Sequence, residues 1–319
     1  MQVVITDYTF PDYSVESSIL EQAGHTIVAS KDKKPAAELI PLVASADAVI
    51  TQFAPVNADV IAAMQKARVI VRYGIGVDNV DLEAARQSRI PVCNVPDYCI
   101  DEVADHTLAF LLGVTRQVVA NSNFVHSGKW GLATPLDNLK ALKQMTVGVV
   151  GFGRIGREVV HRLLAFKAKV MVFDPVIPAD QIRAMGAEPV TLRELLSQSD
   201  AITLHCPSTA ETRGMLNSDS LAKTKPGVVI VNLARGDLVD PAALTESLKS
   251  GHVSAAALDV FSPEPIPADH PILKMDNVIL ASHIASASVP AVKKLRETAA
   301  RLALMALQGE KLPNVVNGL

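Results

Sequence analysis

VGVVGFGRIG, residues 147–156, is the stretch of sequence that decides the fold. An apolar run turns through Gly-x-Gly-x-x-Gly into a helical pattern, and the next apolar run ends on an acid, Asp174. Gly151 permits a tight turn, Gly153 allows backbone to approach a pyrophosphate, and Gly156 lets a helix pack closely on a strand. The helix after the turn offers free N–H groups and its positive dipole end to phosphates. The stretch therefore predicts a dinucleotide-binding site, and the alternative is a plain strand-to-helix turn.

Asp174 indicates which dinucleotide the site takes. Its carboxylate can accept hydrogen bonds from the ribose hydroxyls of an adenosine. A 2′-phosphate would meet that negative charge, and Pro175 brings no cation to compensate. We therefore expect NAD as the cofactor rather than NADP.

Composition argues against several classes of protein. The chain has 319 residues, which is long for one core and favours two domains. No apolar run approaches the ~20 residues of a membrane span, and the N-terminus resembles a strand rather than a signal peptide. The three cysteines lack paired spacing, so we expect no disulfide framework and no metal site. The net charge is −3 and there is no dense block of basic residues, so the sequence does not indicate a surface that binds nucleic acid. We expect a soluble, cytoplasmic protein.

Short runs rich in Val and Ile alternate with helical patterns along the whole chain, which is typical of parallel sheets with helices on both faces. The predicted fold class is α/β, with two doubly wound parallel-sheet domains. The predicted strands of the first sheet are 2–7, 25–29, 48–51, 68–72 and 92–94. Those of the second sheet are 146–150, 169–173, 201–205, 228–232, 255–259 and 277–281.

Two long helical patterns organise these sheets into domains. Residues 101–125 are apolar at helical spacing and are predicted to form one helix that bridges the domains, capped by Asp101 or a neighbour. Residues 290–307 follow the last strand and are predicted to return to the first domain. We expect a substrate-binding domain of residues 1–100 plus 286–319, a cofactor-binding domain of residues 101–285, and a cleft between them.

Three polar residues follow apolar runs of the second sheet. They are Arg235 after residues 228–232, Glu264 after residues 255–259 and His283 after residues 277–281. Ligands of open parallel sheets bind beyond the carboxyl ends of the strands, where the nicotinamide is expected. Arg235 can hold a carboxylate or polarise a carbonyl. His283 can donate a proton to the carbonyl oxygen, and Glu264 can fix its tautomer and favour its charged form. Singly, each could be an ordinary surface or loop residue, but their joint placement suits carbonyl reduction.

Four segments carry a resemblance to a known family: GFGRIG at 151–156, NLARGDLVD at 232–240, ALDVF at 257–261 with Glu264-Pro265, and SHI at 282–284. They resemble the D-isomer-specific 2-hydroxyacid dehydrogenases, nearly from end to end. The resemblance implies a Rossmann NAD-binding domain inserted into a flavodoxin-like substrate-binding domain, and a homodimer held mainly by the NAD domains. The family's catalytic Arg, Glu and His map onto Arg235, Glu264 and His283.

Further positions follow from the same resemblance. RYGIGVDN at residues 72–79 resembles the family loop whose backbone N–H groups grip the substrate carboxylate, although an ordinary turn is the alternative. The loop that runs under the cofactor in this family resembles residues 205–207, His205-Cys206-Pro207. Asp259 resembles the family residue that binds the nicotinamide carboxamide. The cofactor-binding residues are predicted to be Gly151, Gly153, Arg154, Ile155, Gly156, Asp174, His205, Cys206, Pro207, Ala234, Asp259 and His283. The substrate-binding residues are predicted to be Arg72, Tyr73, Gly74, Ile75, Gly76, Arg235 and Ser286.

Single residues distinguish branches of the family. Formate dehydrogenases are similar but carry an amide where Glu264 stands, so Glu264 favours proton-coupled hydride transfer. Arg72 suits the phosphate of a phosphoglycerate dehydrogenase substrate, but PDYCI at residues 96–100 departs from those enzymes. We expect no C-terminal regulatory domain of the kind that longer phosphoglycerate dehydrogenases carry. The predicted substrate is hydroxypyruvate, glyoxylate, phosphohydroxypyruvate or a related small 2-oxoacid.

The alternative function is a NAD-sensing regulatory dimer. IDEVADHTL at residues 100–108 resembles the C-terminal binding protein corepressors, which keep the same three catalytic residues. Those proteins carry a tryptophan three residues after the histidine, whereas this chain has Ser286 there and its single tryptophan is Trp130. Trp130 is expected to anchor the segment that leaves the helix, and it could form a dimer contact. Ser286 favours the enzyme, because the smaller side chain leaves room and a hydroxyl in the pocket.

Overall fold

Two parallel sheets carry the fold, and the α/β class predicted from the sequence is confirmed. The computed structural model describes all 319 residues, which divide into two units. Unit 1 comprises Met1–Tyr98 and Ser288–Leu319, and unit 2 comprises Cys99–Ala287. Unit 1 is therefore discontinuous in sequence, with unit 2 interrupting it.

Unit 1 is built on a five-stranded sheet whose strand order, β2-β1-β3-β4-β5, is the flavodoxin-like doubly wound order. Every neighbouring pair is parallel, and the strands are largely apolar because helices cover both faces. The chain runs β1 Gln2–Ile5, α1 Ser14–Leu20, β2 Thr26–Ala29, α2 Ala36–Val43, β3 Ala48–Thr51, α3 Ala58–Ala63, β4 Ile70–Arg72, α4 Leu82–Gln87 and β5 Val92–Cys93.

Unit 2 contains a seven-stranded parallel sheet in the order β12-β11-β10-β9-β6-β7-β8. If β6 is counted as strand 1, the order read from β8 is 3-2-1-4-5-6-7. This is the Rossmann order 3-2-1-4-5-6 with β12 as one additional strand at the edge. The chain runs α5 Ile100–Thr115, α6 Val118–His126, β6 Thr146–Val150, α7 Arg154–Ala165, β7 Lys169–Phe173, α8 Ala179–Ala184, β8 Glu188–Pro189, α9 Leu192–Gln198, β9 Ala201–Leu204, α10 Ser218–Leu221, β10 Val228–Asn232, α11 Pro241–Lys249, β11 Val253–Leu258 and β12 Val278–Leu280.

The last helix, α12 Val289–Gln308, belongs to unit 1. Ser288 caps its N-terminus through the Ala291 N–H, and Gly309 ends it in the left-handed conformation. Its buried face joins the core formed by β1, β3 and β4. None of the helices could span a lipid bilayer.

A buried ion pair ties α12 to the start of unit 1. Arg296 donates from Nε to Oε1 of Glu16 at 3.0 Å and from Nη2 to Oε2 at 2.7 Å. Glu16 is fully buried and also accepts the Tyr73 hydroxyl at 2.9 Å. One carboxylate therefore joins α1, α12 and the residue that follows β4.

Three predictions about this architecture are wrong. The single helix expected over residues 101–125 is broken between α5 and α6, because Gln117 takes a left-handed backbone conformation with φ of 52°. Its side chain donates to the Val114 carbonyl at 2.7 Å, which stabilises the break. The start of α5 lies at Cys99 without a side-chain cap, and Asp101 pairs with Arg162 instead. The sheet of unit 2 also gains β8, an edge strand of two residues that is too short to leave a pattern.

Candidate active site

The glycine turn after β6 is closely packed at Gly151 and Gly156 but has free space beside Gly153. Gly151 has φ of +98°, and its N–H donates to the Phe173 carbonyl at 2.9 Å. A Cβ on Gly156 would lie 2.1 Å from the Gly151 oxygen, so only glycine lets α7 approach the turn. A Cβ on Gly153 would meet no atom within 4 Å. The backbone is thus accessible at Gly153, beside the first N–H groups of α7, and these residues fit a dinucleotide pyrophosphate.

Asp174 lies at the carboxyl end of β7 and holds this turn. Its Oδ2 accepts the Phe152 N–H at 2.7 Å, and its Oδ1 accepts the N–H groups of Val176 and Ile177 at 2.8 and 3.0 Å. The carboxylate therefore fixes the turn through backbone contacts. It also places a negative charge at the turn, with Pro175 adding no cation.

The loop after β9 packs beneath the turn. A Cβ on Gly151 would lie 2.7 Å from the carbonyl carbon of His205, which shows how closely the two segments meet. His205 keeps some exposed surface as a residue, but its ring is buried, and this burial lowers the pKa of His205 to about 3. Nε2 of the ring lies 2.9 Å from the Thr203 hydroxyl. Burial, with the Asp174 charge, raises the pKa of Cys206 to about 11. His205 and Cys206 are therefore neutral at neutral pH and act through shape and hydrogen bonds.

Glu264 and His283 form a hydrogen-bonded pair beyond the carboxyl ends of β11 and β12. Glu264 Oε2 lies 2.9 Å from His283 Nδ1, while Oε1 accepts the Phe261 N–H at 2.9 Å. Burial alone would raise the pKa of Glu264, but the hydrogen bond and charge of His283, the Phe261 N–H and the Arg235 charge together lower it. The carboxylate is therefore ionised at neutral pH and fixes the orientation of the ring through Nδ1.

Arg235 follows β10, the strand next to β11, and its loop is held by Asn232. The buried Asn232 side chain accepts the Ala234 N–H at 3.0 Å and donates to the Arg235 carbonyl at 2.8 Å. Arg235 Nη1 donates to the Ala234 carbonyl at 2.7 Å. The sequence shows Asn232 only as a polar residue at the end of an apolar strand, and this position alone predicts no role for it.

His283 has an unusual backbone. Its φ is +58°, a left-handed conformation that residues other than glycine seldom adopt. The His283 N–H donates to the Asp259 carbonyl at 2.7 Å. The side chain of Asp259 accepts the next two backbone N–H groups, from Ile284 at 2.8 Å and Ala285 at 2.9 Å. Ser286 follows within a turn that the Ala287 N–H closes on the Ile284 carbonyl at 2.8 Å.

The loop predicted to bind the substrate carboxylate belongs to unit 1. The Tyr73 N–H donates to the Thr51 carbonyl and the Gly74 N–H to the Arg72 carbonyl, at 2.8 and 2.9 Å. The Tyr73 side chain is buried against Glu16, and burial together with the Glu16 charge raises its pKa well above the usual value. A Cβ on Gly74 would overlap the Arg72 guanidinium, which lies beneath the loop. Tyr73 and Gly74 thus stabilise the loop through their own contacts. Ile75 and Gly76 are the residues that follow them along the chain.

The predicted residues divide cleanly between the two units. All predicted catalytic and cofactor-binding residues lie in unit 2, and so does Ser286. Arg72, Tyr73, Gly74, Ile75 and Gly76 lie in unit 1. Unit 2 alone therefore combines a glycine turn with room for a pyrophosphate and, on the same edge of its sheet, an arginine, a carboxylate and an imidazole.

Such a unit has the features of a dinucleotide-binding domain with a hydrogen-bonded histidine and carboxylate beyond its strand ends, and comparison with known proteins gives the family. Residues 108–285 match the model of the D-isomer specific 2-hydroxyacid dehydrogenase NAD-binding domain. The chain is 37% identical to a glyoxylate reductase of Korarchaeum cryptofilum over 292 residues, which cover 90% of this chain and 88% of that protein. The chain therefore belongs to the D-isomer specific 2-hydroxyacid dehydrogenase family, and unit 2 contains its NAD(P)-binding domain. The family membership predicted from the sequence is confirmed.

Two further relatives extend the comparison. A D-3-phosphoglycerate dehydrogenase of Mycobacterium tuberculosis is 39% identical over 281 residues, which cover 88% of this chain and 53% of that protein. The chain thus spans about half the length of this curated relative. The crystal structure of a D-lactate dehydrogenase from Aquifex aeolicus, complexed with NAD and lactic acid, has a TM-score of 0.86 and 27% identity, with 97% of this chain and 96% of that chain covered.

Proposed function

We propose that this protein is a NAD(H)-dependent D-2-hydroxyacid dehydrogenase that interconverts a small 2-oxoacid and its D-2-hydroxyacid. The observation that carries the proposal is the 2.9 Å contact between Glu264 and His283 Nδ1, with the charge of Arg235 close enough to lower the Glu264 pKa. An ionised carboxylate on one ring nitrogen makes the other an effective proton donor and acceptor. Family membership supports the same reaction.

Each residue has a separate task in the proposed reaction. The glycine turn and the first N–H groups of α7 would hold the cofactor, which would supply a hydride to C2 as NADH and accept it in the reverse direction as NAD⁺. His283 Nε2 donates the proton that converts the carbonyl oxygen to a hydroxyl, and Glu264 stabilises the charged ring before the transfer. Arg235 holds the substrate carboxylate or polarises the carbonyl through its donor fork. In oxidation His283 removes the hydroxyl proton.

The substrate is proposed to be hydroxypyruvate, glyoxylate, phosphohydroxypyruvate or a related small 2-oxoacid. The family resemblance assigns its carboxylate to the backbone of the loop at residues 72–79, and we assign this contact to the N–H groups of Ile75 and Gly76. Arg72 is suited to a second acidic group, because its guanidinium is a rigid donor for phosphate or carboxylate. Ser286 leaves space for the C3 substituent.

The test is a panel of 2-oxoacids with NADH: glyoxylate, pyruvate, hydroxypyruvate and phosphohydroxypyruvate. We expect oxidation of NADH with at least one of them and a product of D configuration at C2 where that carbon is chiral. A preference for phosphohydroxypyruvate over hydroxypyruvate would support a phosphate contact by Arg72. Tight NADH binding with no turnover of any 2-oxoacid would refute the enzyme and favour the regulatory dimer that resembles the C-terminal binding proteins.

We propose NAD as the cofactor in preference to NADP because of Asp174. The Asp174→Ala variant is expected to lower the ratio of kcat/KM with NADH to kcat/KM with NADPH by at least about tenfold, since the charge facing a 2′-phosphate is removed. The ratio is the relevant measurement, because loss of the Phe152 N–H contact should weaken both cofactors alike. Asp180→Ala, which removes an exposed acid on α8, is the control. An unchanged ratio in Asp174→Ala would refute the assignment.

We also propose that unit 2 forms a homodimer. The segment from α6 to residue 136 exposes several large apolar side chains to solvent, led by Trp130 at 91% and Leu136 at 69% exposure. An exposed apolar surface of this kind is typical of an interaction site, and the family resemblance implies dimers through the NAD domain. Light scattering should give twice the chain mass of 33.9 kDa. A stable monomer would contradict the proposal.

A further inference from the structure

We infer that Asp259 is the positioning residue that holds the backbone of His283 in its catalytic place, an inference that rests on the proposed function. Asp259 directly follows β11, and its N–H donates to the Asn232 carbonyl on β10 at 3.0 Å. Its other three hydrogen bonds go to three consecutive residues, His283, Ile284 and Ala285. Its carbonyl accepts the His283 N–H at 2.7 Å. Its Oδ1 accepts the Ile284 N–H at 2.8 Å, and its Oδ2 accepts the Ala285 N–H at 2.9 Å.

The backbone of His283 needs such support. With φ of +58° it lies in the left-handed region, which costs conformational energy for a residue that carries a Cβ. Such a conformation persists only where the surroundings over-determine it. The carboxylate of Asp259 does so by drawing two successive N–H groups, those of Ile284 and Ala285, towards one point. These charge-assisted bonds are stronger than bonds to a neutral acceptor.

The histidine is thereby held at two places. Glu264 fixes the ring through Nδ1, and Asp259 fixes the backbone from which the ring projects. Glu264 is in turn anchored by the Phe261 N–H, two residues after Asp259 along the same segment. Both supports therefore come from the chain that leaves β11, and together they determine where Nε2 lies. A shift of about 1 Å in a reacting group can cost on the order of 100-fold in rate.

The family resemblance gives Asp259 another task, the binding of the nicotinamide carboxamide. In this structure Asp259 is only 1% exposed, and both of its carboxylate oxygens accept backbone N–H groups of the segment after His283. The two roles predict different kinetics. Loss of a carboxamide contact weakens NADH binding, whereas loss of positioning lowers kcat with NADH binding retained.

The experiment uses the full chain with Asp259→Asn. The amide can accept only one of the two N–H groups and turns its NH2 towards the other, yet it keeps the size and the ability to contact a carboxamide. We expect kcat to fall by about 100-fold while the Kd for NADH, measured by fluorescence titration, changes by less than about threefold. Asp200→Asn is the matched control, because Asp200 accepts the Thr146 N–H at the opposite edge of the same sheet. It should keep wild-type kcat.

A second variant guards against a general folding defect. Ala285→Pro removes one N–H donor and leaves the carboxylate intact, at the second position of a turn where proline is favoured. We expect kcat to fall by about tenfold with an unchanged Kd for NADH. A raised Kd with normal kcat in Asp259→Asn, together with normal kcat in Ala285→Pro, would overturn the positioning role.

A third measurement separates this inference from the proposed reaction. The ring NMR signal of His283, one of eight histidines, is assigned by its absence in His283→Gln. It should shift in Asp259→Asn and stay in place in Asp200→Asn, whether or not any 2-oxoacid is turned over. Absence of turnover in the wild type would refute the proposed function alone. An unshifted His283 signal in Asp259→Asn would refute the positioning role alone.

Discussion

Replacing His283 with alanine is expected to lower kcat for 2-oxoacid reduction by about 10³-fold and to leave NADH binding nearly unchanged. The imidazole is the proton donor in the proposed reaction, and alanine carries no group that could donate a proton in its place. Steady-state kinetics with the best substrate of the panel give kcat. Fluorescence titration gives the Kd for NADH.

The control for this variant is His161→Ala. That histidine lies on α7 with a side chain that is 75% exposed, so its loss should change neither quantity. Near-normal turnover in His283→Ala would show that the proton comes from another group. A large loss of NADH affinity would show instead that the imidazole serves cofactor binding and would refute its role as the acid.

The second large effect is expected from Gly156→Ala. The new methyl would lie 2.1 Å from the Gly151 oxygen, so the backbone of the turn has to move. Overpacking costs about 1–3 kcal/mol, and a collision with backbone lies at the upper end, which exceeds the ~1 kcal/mol that alanine gains over glycine in a helix. We expect a net loss of about 2 kcal/mol in the free energy of unfolding, with NADH affinity reduced by at least about 100-fold. Denaturant unfolding and NADH titration measure the two quantities.

Gly153→Ala is the matched variant, with the same substitution at the same turn. Its methyl would meet no atom of the chain within 4 Å, so the free energy of unfolding should change by less than about 0.5 kcal/mol. NADH affinity should nevertheless fall by about tenfold or more, because the methyl occupies the space in which the pyrophosphate is expected. Wild-type NADH affinity in Gly153→Ala would mean that the pyrophosphate binds elsewhere.

The strands could be predicted from the sequence because buried parallel strands are continuous apolar runs. β6, β7 and β10 have the predicted bounds, since each run is buried from both faces and ends where the chain leaves the sheet. The helix break at Gln117 could not be predicted, because apolar spacing continues through Val118 and Val119. Those valines are exposed, and α6 has no buried residue, so the pattern there does not mark a core-facing helix.

In the candidate site, the sequence indicated residue types at strand ends but not their backbone partners. Arg235, Glu264 and His283 follow neighbouring strands as expected, because carboxyl ends of parallel strands share one edge. The contacts of Asp259 with Ile284 and Ala285 depend on the left-handed conformation of His283, which no side-chain pattern encodes. Asn232 likewise acts on backbone groups that leave no trace in composition.

The division of unit 1 into two stretches of chain bears on the order in which the protein can be assembled. The core beside β1, β3 and β4 is incomplete until α12 has been synthesised, because Leu295, Ala299 and Leu302 of that helix are part of the core. Until then the Glu16 carboxylate lacks its buried partner Arg296, and breaking a buried ion pair of this kind costs about 3–5 kcal/mol. Unit 2 is continuous from Cys99 to Ala287, so all of its residues have been synthesised before α12 begins. We therefore expect unit 2, although it is synthesised after most of unit 1, to be able to complete its fold first during synthesis.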